Sequence, residues 1–328
     1  MTRFRFFAAF LVLIVLALGG AGAAYVWFTG AVVAPGPLQT ATTVVIVPGS
    51  GVPTISRQLA DAGVIAYPLM FELETRRLGH ARALKAGEYR FEPGVSTDTA
   101  IAKIVRRDVV VRFVTIPEGL VVADIRGILS AAEFLSGDIT AKIADGDLLP
   151  ETYRYERGDA RDAVVARMKS ARTSVLNELW DKRASGLPLR SPEEALVLAS
   201  IVEKETGLAA ERPHVASVFI NRLRKGMRLQ SDPTVIYGLA PDTGTIDRSL
   251  RRADLEAPSA YNTYVIDALP PSPICNPGRA ALAAVLAPMQ SDDLYFVADG
   301  SGGHVFATSL DQHNRNVARW RELQKHSP

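Results

Sequence analysis

Residues 192–206 read Pro-Glu-Glu-Ala-Leu-Val-Leu-Ala-Ser-Ile-Val-Glu-Lys-Glu-Thr, and this stretch carries the chain's best candidate for acid–base chemistry. At 100° per residue, Leu198, Ile201 and Val202 lie within about 60° of Glu205, whereas Glu203 lies about 160° away, beside Leu196 and Ser200. Glu205 therefore continues the apolar face at the C-terminal end of a predicted helix. Lost solvation raises the pKa of such a carboxyl, and the negative end of the helix dipole pushes the same way. A carboxyl kept protonated near neutral pH suits the general acid for a glycosidic bond. The alternative is a glutamate held in the core by Arg212 or Arg222, and periodicity alone leaves both open. Glu203 reads as solvated or locally paired, and Lys204 as solvated.

A glycosidase normally carries a second carboxylate. Asp232 is the nearest in a loop, but Ser231-Asp232-Pro233 also reads as a helix N-cap before proline, the better reading of the two. Other chemistries lack their signatures. There is no phosphate-loop pattern, no His-Glu-x-x-His and no Gly-x-Ser-x-Gly, and the five histidines are scattered. Neither a metal nor a cofactor is expected.

The elements that must position these groups follow from periodicity and punctuation. Three segments each show a β-type run, Pro-Gly or Pro-Glu-Gly, and an amphipathic helix: residues 43–47 leading to Ile55 and Leu59, 88–91 leading to Ile101 and Ile104, and 111–116 leading to Ile125 and Leu129. Ser96 and Thr97 suit the N-cap of the second helix. Units of this size bury too little alone and are expected to pack together. Helices are predicted over 160–184, 191–206 and 212–225, the last closing on Arg222, Arg224, Lys225 and Gly226. Polar and aromatic loops follow, then a hairpin over 294–298 and 304–307 and a last helix from about residue 310. The fold class is α+β.

Composition narrows the setting. With 48% hydrophobic and 22% charged residues and a net charge of +2, the chain can build a core and has no basic stripe for nucleic acid. One cysteine, Cys275, excludes an intrachain disulfide. Residues 6–28 are uncharged, roughly 35 Å of helix, enough to cross a bilayer. Arg3 and Arg5 precede the run and the next charge is Arg57. The positive-inside rule thus makes residues 1–5 a cytoplasmic terminus and 6–28 a single transmembrane helix, with the rest exported. Ala21-Gly22-Ala23 also fits a signal-peptidase site, but the apolar run continues to Phe28, which favours an anchor. Residues 29–42 read as a linker.

Several segments carry a resemblance. Ala199-Ser200-Ile201-Val202-Glu203-Lys204-Glu205-Thr206, Glu211-Arg212-Pro213 and the run from Gly226-Met227-Arg228-Leu229-Gln230-Ser231-Asp232-Pro233 to Gly238 look like the endolytic murein transglycosylase, or YceG-like, family. Tyr261-Asn262-Thr263-Tyr264, Leu269-Pro270-Pro271, Tyr295-Phe296-Val297-Ala298-Asp299-Gly300 and Gly302-Gly303-His304 extend it. The match is dense between 195 and 310 and weak before 115. Ala268, Ser272 and Cys275 depart from the family's usual residues, as does the lack of bulky aromatics before Pro150-Glu151-Thr152-Tyr153.

The resemblance implies a LysM-like glycan-binding module over 43–115 and a catalytic domain over 116–328. It implies an enzyme of the cytoplasmic membrane acting outside it on nascent peptidoglycan strands and linked to peptidoglycan synthases. It makes Glu205 the catalytic residue of a lytic transglycosylase, which closes a 1,6-anhydro ring on MurNAc and needs no second carboxylate. Gln230, Asp232, Tyr237, Tyr261, Asn262 and Tyr264 are the candidate substrate contacts. Two rivals remain: a hydrolase in which Glu205 is the acid and water the nucleophile, and a non-catalytic wall-binding scaffold.

Overall fold

The computed structural model describes residues 2–326. The chain divides into two compact units at residues 112 and 113.

The first unit opens on a 32-residue helix, α1 (Thr2–Val33). Its stretch Phe6–Val33 is long and apolar enough to cross a membrane once, and Phe6, Leu13 and Val26 on it are exposed. The helix runs past both ends of the expected 6–28 span because nothing stops it before Pro35-Gly36-Pro37. Met1 and the side chains of Arg3 and Arg5, on which the expected orientation rests, lie outside the described residues. The chain after α1 is pinned down. Gly36 N–H donates to the carbonyls of Gly94 (3.3 Å) and Val95 (3.2 Å). A Cβ at Gly36 would collide with the Val95 carbonyl, so the position needs glycine.

Strand β1 (Thr42–Ile46), helices α2 (Val52–Asp61) and α3 (Pro68–Arg77), strand β2 (Gly87–Phe91) and helix α4 (Thr97–Arg106) complete this unit. β1 and β2 pair antiparallel, with Val44 opposite Tyr89. Ile46, Ile55, Leu59, Phe71, Tyr89 and Ile101 bury one another in its core. Ser96 caps α4 by accepting from Thr99 N–H (3.2 Å); Thr97 stands inside the first turn.

The second unit has two cores. Strand β3 (Arg112–Thr115) pairs with β4 (Thr152–Tyr155), and helix α5 (Val122–Ala131) follows β3 in the chain. Ile116, Ile125, Leu129, Tyr153 and Tyr155 pack there with Val164 and Met168 from the start of helix α6 (Arg161–Asp181). The third strand–turn–helix segment thus shares a core with β4 and the start of α6. The other core gathers the end of α6 with α7 (Pro192–Glu205), α8 (Arg212–Arg224) and, beyond the short helices α9 (Asp232–Leu239) and α10 (Arg252–Glu256), α11 (Arg279–Leu286). α7 packs against both α8 and α11, and every residue from Ala195 to Val202 is buried. Strands β5 (Tyr295–Ala298) and β6 (His304–Ala307) form a hairpin with Phe296 opposite Phe306. Helix α12 (Leu310–His326) packs on that hairpin.

Candidate active site

The site is built on the last turn of α7. Ser191 starts this helix by accepting from Glu194 N–H (3.3 Å), with Pro192 at the first position and Glu193 and Glu194 in the first turn. Ser200, fully buried, accepts from Ile274 N–H (3.0 Å) and so ties the helix to the loop before α11. The helix stops at Glu205, because Thr206 turns to extended backbone (φ −141°, ψ 130°) and accepts from Leu208 N–H with its own hydroxyl.

Glu203 and Glu205 leave this turn in opposite directions. Glu203 is 4% exposed at its side chain; one oxygen meets Arg212 Nη2 at 3.1 Å and the other accepts from Gly278 N–H at 2.8 Å. Arg212 also reaches Glu118 (3.3 Å). A Cβ at Gly278 would overlap the Glu118 carboxylate, so the clasp requires glycine there. Burial holds the Glu203 pKa above its ordinary value, with the charge of Arg212 opposing. Of the two expected readings for Glu203, the local pairing is the one realised.

Glu205 has no ion pair among the described residues. Its Oε1 accepts from the Ser231 hydroxyl at 2.5 Å. Arg222, 7% exposed, spends its guanidinium on backbone carbonyls: Leu294 (2.6 Å), Arg228 (3.1 Å) and Leu229 (2.8 Å). Burial pushes the Glu205 pKa up to about 7; the Asp232 charge adds to this, while the Ser231 hydrogen bond and the Arg222 charge oppose it. Neither arginine proposed as a core partner for Glu205 therefore bonds to it: Arg212 goes to Glu203, and Arg222 acts only through its field.

Glu205 opens on a cavity of about 510 Å³. Arg222, Gln230, Asp232 and Tyr264 line it beside Glu205; Tyr295, Phe296 and Val297 of β5 form one wall, and Leu310, His313, Asn314 and Val317 of α12 another. Gln230 holds left-handed backbone (φ 52°) and its side-chain oxygen accepts from Arg222 Nη1 at 3.2 Å. Asp232 is the first residue of α9 and not its N-cap; Oδ1 accepts from the Tyr264 hydroxyl at 2.6 Å.

Three other expected contacts are engaged within the protein, outside the cavity lining. Tyr237 donates to Asp145 (2.7 Å) and packs edge-on to Tyr261 at 4.9 Å. The Tyr261 hydroxyl bonds Ser272 (2.7 Å). Asn262, 1% exposed, donates to the carbonyls of Asp254, Leu255 and Ala257 and accepts from Tyr264 N–H. It shapes the loop that carries Tyr264. Sequence reasoning did not single out Ser231, Tyr295, Phe296, His313 or Asn314 for the site. Tyr295 and Phe296 stand in a segment already noted, but α12 offers no motif that points at a cavity.

The hairpin wall is latched to the segment that follows α7. Glu211 accepts from His304 N–H (2.9 Å) and from the His304 ring (2.7 Å). Burial opposes ionisation of Glu211, but these bonds hold its pKa below the ordinary value. The Asp299-Gly300-Ser301-Gly302-Gly303 turn closes because Asp299 Oδ1 accepts from Ser301 N–H (2.7 Å) and Gly303 N–H (3.2 Å), with Gly300 and Gly302 at positive φ.

Residues 44–319 match the profile of the YceG-like family. This chain belongs to that family. A relative in Bacillus subtilis named endolytic murein transglycosylase is 30% identical over 310 residues, covering 84% of each chain. A relative of the same name in Streptococcus pneumoniae is 27% identical over 325 residues; the match covers 84% of this chain and 58% of that one. The crystal structure of a yceG-like protein from Listeria monocytogenes aligns with a TM-score of 0.51 at 31% identity, over 84% of this chain and 98% of the other.

Proposed function

We propose that this chain is an endolytic peptidoglycan lytic transglycosylase in which Glu205 is the single acid and base. The observation that carries this reading is a carboxyl with a pKa pushed up to about 7, in an open cavity, with one oxygen held by Ser231 and no ion pair among the described residues. At neutral pH a large share of such a group is protonated and able to donate.

Glu205 gives its proton to the oxygen between MurNAc and GlcNAc. That C1–O bond breaks, and an oxocarbenium-like centre develops at MurNAc C1. The Glu205 carboxylate then takes the proton of the C6 hydroxyl on the same sugar, whose oxygen bonds to C1. The products are a GlcNAc end and a 1,6-anhydro-MurNAc end, and Glu205 is protonated again. Water takes no part. Asp232, the other acid on the cavity, is bound to Tyr264 and raises the Glu205 pKa by its charge, which supports a single-acid cycle. Gln230, Asp232 and Tyr264 are the substrate contacts this reading retains. Tyr237, Tyr261 and Asn262 support the loops behind them.

The wider setting belongs to the same proposal. Helix α1 anchors the chain once in the cytoplasmic membrane, with Arg3 and Arg5 inside and the remainder outside. Residues 43–115 act as a LysM-like glycan-binding module and 116–328 as the catalytic domain. Cutting within nascent strands beside peptidoglycan synthases ends their elongation.

Digestion of purified peptidoglycan by the wild type and by Glu205→Gln, with products identified by mass, tests the chemistry. Anhydro-MurNAc ends from the wild type alone are expected. Reducing MurNAc ends, heavier by one water, would point to a hydrolase with Asp232 as base. Cleavage that survives Glu205→Gln would remove Glu205 from the mechanism, and no cleavage by the wild type would favour a wall-binding scaffold.

A further inference from the structure

A serine stands at the N-cap of α9, where this residue type commonly accepts a hydrogen bond from the first turn, and it makes no such bond. Its hydroxyl turns away from the helix and donates to Glu205 Oε1 at 2.5 Å. The loop that aims it is fixed on several sides. Ser231 N–H donates to Thr263 Oγ1 (2.9 Å), and its carbonyl accepts from Thr234 Oγ1 (2.6 Å). The Thr234 and Thr263 hydroxyls bond one another at 2.8 Å, and Gln230 N–H donates to the Thr263 carbonyl at 3.1 Å. Ser231 is 1% exposed, so the hydroxyl has no water to turn to.

We infer that Ser231 is the positioning residue of the site: its hydroxyl occupies Glu205 Oε1 throughout the cycle, so the proton leaves from Oε2 and returns to Oε2. The inference rests on the acid–base reading of Glu205 above. A protonated carboxyl can present either oxygen to a substrate, and a fixed donor removes that choice. The bond serves both states, since Oε1 accepts from Ser231 whether Oε2 bears a proton or shares the anion's charge. Ser231 keeps its own proton throughout.

The other groups around this carboxyl come from separate elements. Asp232 lies on α9, Arg222 on α8, Tyr264 on the loop after α10, Tyr295 on β5 and His313 on α12. Asp232 raises the Glu205 pKa by its charge and Arg222 lowers it. Ser231 favours the anion by donating to it, so Ser231→Ala makes Glu205 hold its proton to higher pH.

The test is the pH profile of kcat/KM for anhydro-muropeptide release by the full chain. In Ser231→Ala the alkaline limb moves up by about one pH unit, the size expected for one hydrogen bond to a charged acceptor. The plateau falls about tenfold as the carboxyl loses its fixed orientation, an alignment effect. Ser231→Thr keeps the hydroxyl and keeps the limb. Ser231→Cys keeps the shape with a weak donor and moves the limb part-way, and it carries the test if the alanine variant does not fold. A merely structural serine would lower thermal stability and leave the limb in place. An unmoved limb in both Ser231→Ala and Ser231→Cys overturns the inference. An NMR titration of the labelled Glu205 carboxyl, assigned by its absence in Glu205→Gln, reads the same shift without turnover. If that shift appears while no variant releases anhydro products, the acid–base reading fails and the Ser231 bond stands.

Discussion

Glu203 and Glu205 are two residues apart on one helical turn and share much of their environment. Both lean on protein, both have pKa values raised chiefly by burial, and both feel the charge of an arginine on α8. Their neighbours separate them. Glu203 is clamped between the Arg212 guanidinium and Gly278 N–H, with both oxygens engaged. Glu205 has one oxygen on a neutral hydroxyl and opens on a cavity. A buried carboxylate with both oxygens bound is a structural clasp. One with an oxygen free and no counter-ion is ready to exchange a proton.

The contrast breaks most directly on activity. Glu205→Gln is expected to lower anhydro-muropeptide release by about 10³-fold, within the range for removing an acid–base group, with circular dichroism unchanged. Loss of activity of equal size in Glu203→Gln, at unchanged fold, would erase the distinction. On stability the order reverses. Arg212→Ala strands Glu203 as an uncompensated buried carboxylate and should cost about 3 kcal/mol, read from denaturant unfolding.

The pH dependence sharpens the same comparison. The folded pKa of Glu205 lies above its unfolded value, so between pH 4.5 and about 7 the folded state binds more protons and loses stability as pH rises. Glu205→Gln removes that penalty. It should gain about 1–3 kcal/mol over the wild type at pH 8 and little at pH 5, judged by paired melts at the two pH values. The smallest effect concerns the back of the site. Tyr237→Phe should cost about 1 kcal/mol by freeing Asp145, while keeping cleavage within a few-fold of the wild type. A severe kinetic defect in this variant would return Tyr237 to the substrate contacts.

The parts of this fold that were legible in the sequence share long apolar periodicity or strong punctuation. α6, α7 and α8 fall within a few residues of their predicted bounds, and the β5–β6 hairpin is framed by its glycine-rich turn. α3 leaves little trace in the sequence because its buried set, Met70, Phe71, Glu74 and Thr75, includes a glutamate and a threonine and gives no clean apolar stripe. The start of α9 is marked by Ser231-Asp232-Pro233, but the cap falls on Ser231 instead of Asp232, and its eight residues with Gly238 inside give too short a stripe to set its length. Periodicity placed Glu205 on the apolar face, yet it could not find Ser231, 26 residues further along the chain, because that contact depends on how α7 and α9 meet. Tyr237, Tyr261 and Asn262 teach the converse. Residue types that suit a sugar also suit buried hydrogen bonds, and only the partners tell them apart.

Gln230 keeps left-handed backbone between Leu229 and the serine that holds Glu205. Glycine would adopt this geometry more easily, by about 1 kcal/mol. Glycine would also release the side-chain oxygen from Arg222 and free the backbone that aims Ser231. A library selected for heat resistance and one selected for strand cleavage should therefore diverge at this codon, the first drifting toward glycine and the second holding glutamine.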